Sequence, residues 1–352
     1  MARAAELLPG RILIVLHGAI GDVVRAMPLA MRVRRGYPHA RITWAVEPAA
    51  APLLERHPAI DEQLVFRREL GAAAFARFLG QVRRRRFDLA LDLQRHLKSG
   101  VVSRASGAPR RIGFHRSNTK EGNWLFNSET IAPQPHWSLK LRQYLAFADA
   151  LGLPASPIEF GLALAGDEDA RVESLLEAVD GPYVAAFVGS TWESRGWFPD
   201  RTAAVLSALR ERHGLAAVLL GAPGADEAFA REVAAHAQKS GVTNYLNLAG
   251  RTTLRDLIGI LGRARAAFGP DSGPMHIAAA VGTPVVSLWG ATSPLRSAPY
   301  GAEDLALVGR VACQPCYLRR CPIGRVCMAE IGAESVVAAL ERGLARRVRG
   351  RW

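Results

Sequence analysis

In the stretch FGPDSGPMHIAAAVGTPVVSLWG, residues 268–290, the carboxylate of Asp271 and the hydroxyl of Ser272 sit between Gly269 and Gly273, and small residues follow. Pro274 suits the first turn of a helix, where its missing N–H costs nothing. A helix that starts there offers free amides and the positive end of its dipole, so a phosphate fits beside Ser272 and Gly273. Asp271 would be repelled by that phosphate and is expected to face sugar hydroxyls. His276, one turn in, adds a donor. The same residues would also make an ordinary capped turn from strand to helix.

Three other loops carry polar groups of a matching kind. In GSTWESRGWFP, 189–199, the hydroxyls of Ser190 and Thr191 and the guanidinium of Arg195 can clamp a diphosphate, because arginine offers forked donors and keeps its charge. A loop held only by its aromatic residues is the alternative. In GAPGADE, 221–227, an acid such as Asp226 can bond both hydroxyls of a ribose, although any helix start prefers acids. In HGAIGDVVRAMP, 17–28, Gly18 and Gly21 let backbone approach a ligand, but the dinucleotide fingerprint G-x-G-x-x-G is incomplete. Asp22 is either an N-cap or a general base that takes a proton from an acceptor hydroxyl. No role is assigned to His17.

Such loops need strands behind them. Apolar runs at 11–17, 41–47, 62–66 and 88–94 read as strands, and 22–35, 48–56, 72–85 and 96–105 as helices. The alternation resumes after 180, with strands at 183–189, 215–221, 245–249, 266–269 and 284–289 and helices near 200–213, 225–239, 253–264 and 274–281. Alternation of this kind predicts βαβ units, parallel sheets and an α/β fold of two doubly wound, Rossmann-like domains facing a central cleft. The segment 151–164, with two prolines and no helical period, is the expected linker. The domains are set at 1–160 and 161–332, with a closing helix near 334–346 and a basic tail, 333–352, expected to pack back on the first domain.

The chain has 352 residues, 49% of them hydrophobic, enough for two cores. No apolar run approaches a membrane span and no signal-type h-region opens the chain, which predicts a cytoplasmic protein. The formal charge of +13 favours an anionic partner: nucleic acid, an anionic leaflet or a phosphorylated substrate. Basic residues cluster at 83–86, at 110–111 and in the tail (Arg346, Arg347, Arg349, Arg351). They lack the interleaved aromatics of a nucleic-acid face, so nucleic acid is not expected. Cys313, Cys316, Cys321 and Cys327 are spaced to bind a structural zinc or iron, to remain free thiols, or to act as a redox switch. Arg319, Arg320 and Arg325 among them would help an anionic acceptor or headgroup bind. Asp167-Glu168-Asp169 matches the D-x-D of metal-using transferases but reads as a capped helix start.

Taken in order, GDVVRAMPLA (21–30), GSTWESRGWFP (189–199), LGAPGADE (220–227), LAGRTTLRDLIGILGRA (248–264) and GPDSGPMHIAAAVGTPVVSLWGATSP (269–294) resemble glycosyltransferase family 9, the ADP-heptose:lipopolysaccharide heptosyltransferases. The resemblance implies a GT-B fold and an inverting, metal-independent transfer of heptose from ADP-heptose. The implied acceptor is the phosphorylated lipid A and core oligosaccharide at the cytoplasmic face of the inner membrane, with the enzyme peripherally bound. By position Asp22 matches the family's proposed base. Ser190 and Thr191 match its phosphate-side hydroxyls, and Asp271, Ser272, Gly273 and His276 its donor motif. Thr252 falls where backbone meets adenine. Arg195 stands where many members have lysine, in a segment one residue longer, so the diphosphate contact departs from the pattern while a cation is kept. Another nucleotide sugar, or a protein acceptor, is the alternative.

Overall fold

Strands β1 (Arg11–Val15), β2 (Arg41–Val46), β3 (Glu62–Val65), β4 (Leu89–Asp92), β5 (Arg110–Gly113) and β6 (Glu129–Thr130) form a parallel sheet in the computed structural model, which describes residues 8–348. Their order is β3-β2-β1-β4-β5-β6. Helices α1 (Ile20–Gly36), α2 (Gly71–Arg84), α3 (Leu97–Ala105) and α4 (Lys140–Ala150) complete this unit, which ends at Gly161. The expected helix over 48–56 is only a 3₁₀ turn, Ala51–Leu54. Pro48 and Pro52 lack N–H donors, and the segment closes only short turns such as the Leu53 N–H to the Ala50 carbonyl at 3.1 Å.

The second unit begins at Leu162 and repeats the plan. Helix α5 (Gly166–Leu176) leads into β7 (Tyr183–Phe187), α6 (Pro199–His213), β8 (Ala216–Leu220), α7 (Ala225–Lys239) and β9 (Tyr245–Asn247). Then come α8 (Leu254–Arg263), β10 (Ala266–Pro270), α9 (Gly273–Ala280), β11 (Val285–Trp289), the short α10 (Pro294–Ser297), β12 (Ala306–Val308), the short α11 (Val326–Ala329) and α12 (Ala333–Val348). The sheet order β12-β11-β10-β7-β8-β9 is the first sheet's order again.

Central strands such as β1, β4, β7 and β11 are buried along almost their whole length, as parallel strands covered on both faces must be. Each unit has its own core. In the first, Leu13, Val15 and Ala90 pack with Phe66, Phe78 and Val82. In the second, Val184, Leu219 and Phe268 pack with Leu206, Val233 and Met328. The strand order reverses between β1 and β4 and again between β7 and β10. At such switch points the loops leaving the carboxyl ends of neighbouring strands diverge and leave a crevice for ligands.

Helix α12 packs against α6, β10 and β11, and its Val336, Val337 and Leu340 belong to the second unit's core. Its apolar face contributes to its own unit's core. Within the basic clusters Arg85 pairs with Glu62, Arg110 with Glu129 and Arg346 with Asp304, while Arg83, Arg84 and Arg86 are exposed. Arg349 and Arg351 lie outside the described residues. Asp167-Glu168-Asp169 does open α5: Glu168 accepts the Ala165 N–H at 2.8 Å and pairs with Arg255 at 2.6 Å, and Asp169 pairs with Arg263 at 2.8 Å.

Candidate active site

At the carboxyl end of β1 the chain turns through Gly18 into α1. Asp22 is not the N-cap of that helix. Ala19 holds that position, and the Asp22 carboxylate lies within the first turn, 21% exposed. Its Oδ1 accepts hydrogen bonds from Arg25 Nη2 at 2.6 Å and Lys140 Nζ at 2.7 Å, with the Tyr144 hydroxyl at 3.4 Å. Lys140 and Tyr144 are one turn apart on α4, which packs on α1. All three contacts fall on Oδ1. A Cβ at Gly18 would lie 2.8 Å from the Asp22 Cβ and 3.5 Å from Oδ2, so glycine is what leaves the carboxylate room. Burial pushes the carboxyl pKa up, but Lys140 and Arg25 outweigh it and hold the group well below the usual carboxylate range. Gly21 is buried in the first turn, so of the two glycines only Gly18 offers backbone in the loop.

His17 is enclosed by Phe66 and Phe78, with ring centroids at 5.1 and 5.8 Å, and burial lowers its pKa to about 4. Its neutral ring and aromatic packing are those of a core residue. Asp92, at the end of β4 beside Val15, is fully buried. It accepts from Asn123 Nδ2 at 2.7 Å, Ser99 Oγ at 3.2 Å and the Gln94 N–H at 3.1 Å. With neutral donors alone around it, burial raises its pKa to about 7.

In the second unit the switch point brings the loop after β7 against the loop after β10. Ser272 is the N-cap of α9 in an extended conformation, and its Oγ is buried without a hydrogen-bond partner. Gly273 and Pro274 follow in the first turn, and His276 is buried one turn in. Asp271 is 9% exposed. Its Oδ2 accepts from Thr292 Oγ1 at 2.8 Å and pairs with Arg195 Nη1 at 3.3 Å, and its carbonyl accepts from Ser190 Oγ at 3.2 Å. The Arg195 guanidinium lies 3.9 Å above the Trp192 ring. Asp271 and Trp192 thus hold the Arg195 guanidinium beside the amides of α9, with Ser190 tied to the same turn and Thr191 exposed.

Asp226 is half-buried and bonded within its own loop. The Asp226 Oδ2 accepts from the Ala222 N–H at 2.8 Å, and a Cβ at Gly189 would stand 1.9 Å from the Asp226 Cγ. Gly189 is therefore required where the two loops touch. Glu227 caps the Gly224 N–H at 3.2 Å and reaches Gly250, next to the turn that holds half-buried Thr252. Thr253, the N-cap of α8, accepts from the Asp256 N–H at 3.1 Å.

The four cysteines are free thiols, one of the alternatives their spacing left open. Cys313 is exposed, Cys316 and Cys321 are half-buried, and Cys327 is buried, where desolvation raises its thiol pKa. Among the described residues no three cysteine, histidine or acidic side chains are grouped to hold a metal ion, so the structural zinc or iron is not supported. Residues 318–325 instead strap the loop that carries Arg195. Ser194 Oγ donates to the Leu318 carbonyl at 2.5 Å, the Cys321 N–H donates to Glu193 at 3.0 Å, and Arg325 pairs with Glu193 at 3.2 Å. Arg325 also donates to the carbonyls of Gly196 and Trp197 and is not held out for an acceptor.

Arg25, Lys140, Tyr144, Trp192, Thr292 and the strap were not singled out from sequence. Only the Lys140 and Tyr144 spacing offered a signal, a polar pair on one helix face.

The family model of glycosyltransferase family 9 (heptosyltransferase) matches residues 75–327. A lipopolysaccharide core heptosyltransferase of Haemophilus influenzae is 26% identical over 300 residues, 84% of this chain and 83% of that one. Lipopolysaccharide heptosyltransferase 1 of Pseudomonas aeruginosa is 28% identical over 324 residues, 88% and 87% of the two chains. Among solved structures, the E. coli ADP-heptose lipopolysaccharide heptosyltransferase II superposes with a TM-score of 0.74 at 23% identity, over 96% of this chain and 99% of that one. An E. coli heptosyltransferase solved with ADP gives 0.71 at 20% identity, over 97% and 99%. The twin parallel sheets are thus those of the GT-B fold, and with the family match spanning well over half its length, the chain belongs to glycosyltransferase family 9, the heptosyltransferases.

Proposed function

We propose that the protein transfers heptose from ADP-heptose to the inner core of lipopolysaccharide, with inversion and without a catalytic metal. The observation that carries the donor half is the Arg195–Asp271 pair beside the open N-terminus of α9, where Ser272 Oγ is buried and unpartnered. A guanidinium held in place and free amides are the donors a diphosphate needs, and they meet the charge that a divalent cation would otherwise meet. The relatives' names and the ADP in one solved heptosyltransferase support adenine and heptose as the donor's parts.

For the acceptor half, Asp22 takes the proton of the attacking hydroxyl. That oxygen bonds to the anomeric carbon as the bond to the diphosphate breaks, and ADP leaves with the charge received by Arg195 and the α9 amides. The acceptor is read as phosphorylated lipid A with its core sugars, and the protein as lying at the cytoplasmic face of the inner membrane. No helix among the described residues is long and apolar enough to cross a membrane. Titration with ADP, UDP and GDP, then transfer assays with chelator present, test the reading. ADP selectivity with chelator-resistant transfer, reduced about 10²–10⁴-fold in Asp22→Asn, is expected. Preference for another nucleotide would move the assignment to a different donor, and full activity in Asp22→Asn would remove the base.

A further inference from the structure

Four large apolar side chains of the first unit stand open on neighbouring loops: Leu97 (44% exposed), Trp124 (41%), Leu125 (67%) and Trp137 (48%). The loops are tied to one another. The Leu97 N–H donates to Glu121 at 3.1 Å, the Lys120 N–H to the Arg95 carbonyl at 2.7 Å, and Asn118 and Gln134 exchange two hydrogen bonds of 2.8 Å. Trp124 and Leu125 are held outward by their neighbours. In the 3₁₀ turn Asn123–Phe126, the first residue is buried on Asp92 and the last packs on Gly100, where a Cβ would lie 2.7 Å from the Phe126 ring. Single exposed apolar residues are ordinary, but four on joined loops, two of them tryptophan, mark an interaction surface.

The charges on the same loops say what it fits. Lys98, Arg116 and Lys120 are exposed, and among the described residues none of the three forms an ion pair. Glu121, the acid among them, is engaged by the Leu97 N–H and His96. Tryptophan settles at the headgroup level of a bilayer, where its ring is half in hydrocarbon and its N–H in water, while lysine stems reach up to lipid phosphates. We infer that the surface formed by residues 95–98, 116–125 and Trp137 docks the protein on an anionic bilayer. This inference rests on the reading of the acceptor as lipid-linked, which puts the substrate at such a surface.

The test is co-sedimentation of the full chain with phosphatidylcholine vesicles, with and without phosphatidylglycerol, at low and high salt. Wild type is expected to bind the phosphatidylglycerol vesicles and to release in salt. Trp124→Ser combined with Leu125→Ser, and separately Lys98→Gln combined with Lys120→Gln, should each lower the partition by about tenfold or more. Both variants should keep wild-type ADP affinity and circular dichroism, since their positions lie in the first unit and the proposed donor groups in the second. Wild type that ignores the anionic vesicles would overturn the lipid-surface reading as a whole. Wild type that binds, beside variants that bind equally well, would overturn this surface alone. Binding to both vesicle types that salt does not weaken would overturn anionic lipid as the occupant.

Discussion

At the residue scale, the Asp22 carboxylate is more weakly basic than a free one, because Lys140 and Arg25 grip its Oδ1. What this gains is ionisation that survives the approach of an anionic acceptor, whose charge would otherwise raise the pKa. Wild-type kcat/KM should therefore show no acid limb from Asp22 down to about pH 5. In Lys140→Met the carboxyl loses its nearest cation, its pKa rises, and an acid limb should enter the measurable range. Activity at neutral pH should also fall about tenfold as the carboxylate loses its orientation. An unchanged profile shape in that variant would mean that Lys140 does not act through Asp22. The second residue-level prediction concerns Asp271. If it acts by holding Arg195, Asp271→Asn should weaken ADP binding about tenfold, and adding it to Arg195→Ala should cost nothing further. Additive losses in calorimetry would assign Asp271 a contact of its own with the donor. None of this was legible in the sequence, where the aspartate's place in a turn with free amides was visible but its partners, 76 residues upstream at Arg195 and 21 downstream at Thr292, were not.

At the element scale, the strands the sequence made plain were those buried on both faces, since a continuous apolar run such as Leu215–Leu220 has few other readings. The inner strand β5 and the edge strands β6 and β12 were not legible. Arg110–Gly113 opens with two arginines and Glu129–Thr130 is two exposed residues, so sheet pairing alone makes them strands. The cysteine segment was legible as a cluster, but spacing alone could not choose between metal ligands and free thiols. Its layout predicts a reactivity order. Alkylation resolved by mass spectrometry should modify Cys313 first and Cys327 last, the latter being buried with its thiol pKa raised. Glu193→Gln, which loosens the strap at Cys321 and Arg325, should speed labelling of Cys321 severalfold without exposing Cys327. Uniform protection of all four thiols, relieved by chelator, would restore the metal.

At the scale of the whole molecule, two units with separate cores should respond to separate variables. ADP at about a hundredfold its Kd should stabilise residues 162–352 by about 2.7 kcal/mol, seen as slower hydrogen exchange in β7 and β10 and little change in β1 and β4. Equal slowing in both units would mean that they unfold as one. The first unit should respond to pH through Asp92. Its folded pKa is about 7 against about 4 in the unfolded chain, so below pH 4 both states are protonated and the stability is fully present. Between those values the unfolded chain gives up the proton while the folded one keeps it, and stability falls by up to about 4 kcal/mol as pH rises to 7. Asp92→Asn removes the titration, and the buried Asn123 Oδ1, which has no hydrogen-bond partner, can accept from the introduced amide. Exchange in β4 and α3 should then slow in the variant relative to wild type at pH 8, with the difference shrinking or reversing at pH 4. Parallel behaviour of the two proteins across that range would show that Asp92 is ionised in the fold and that Asn123 and Ser99 compensate its charge.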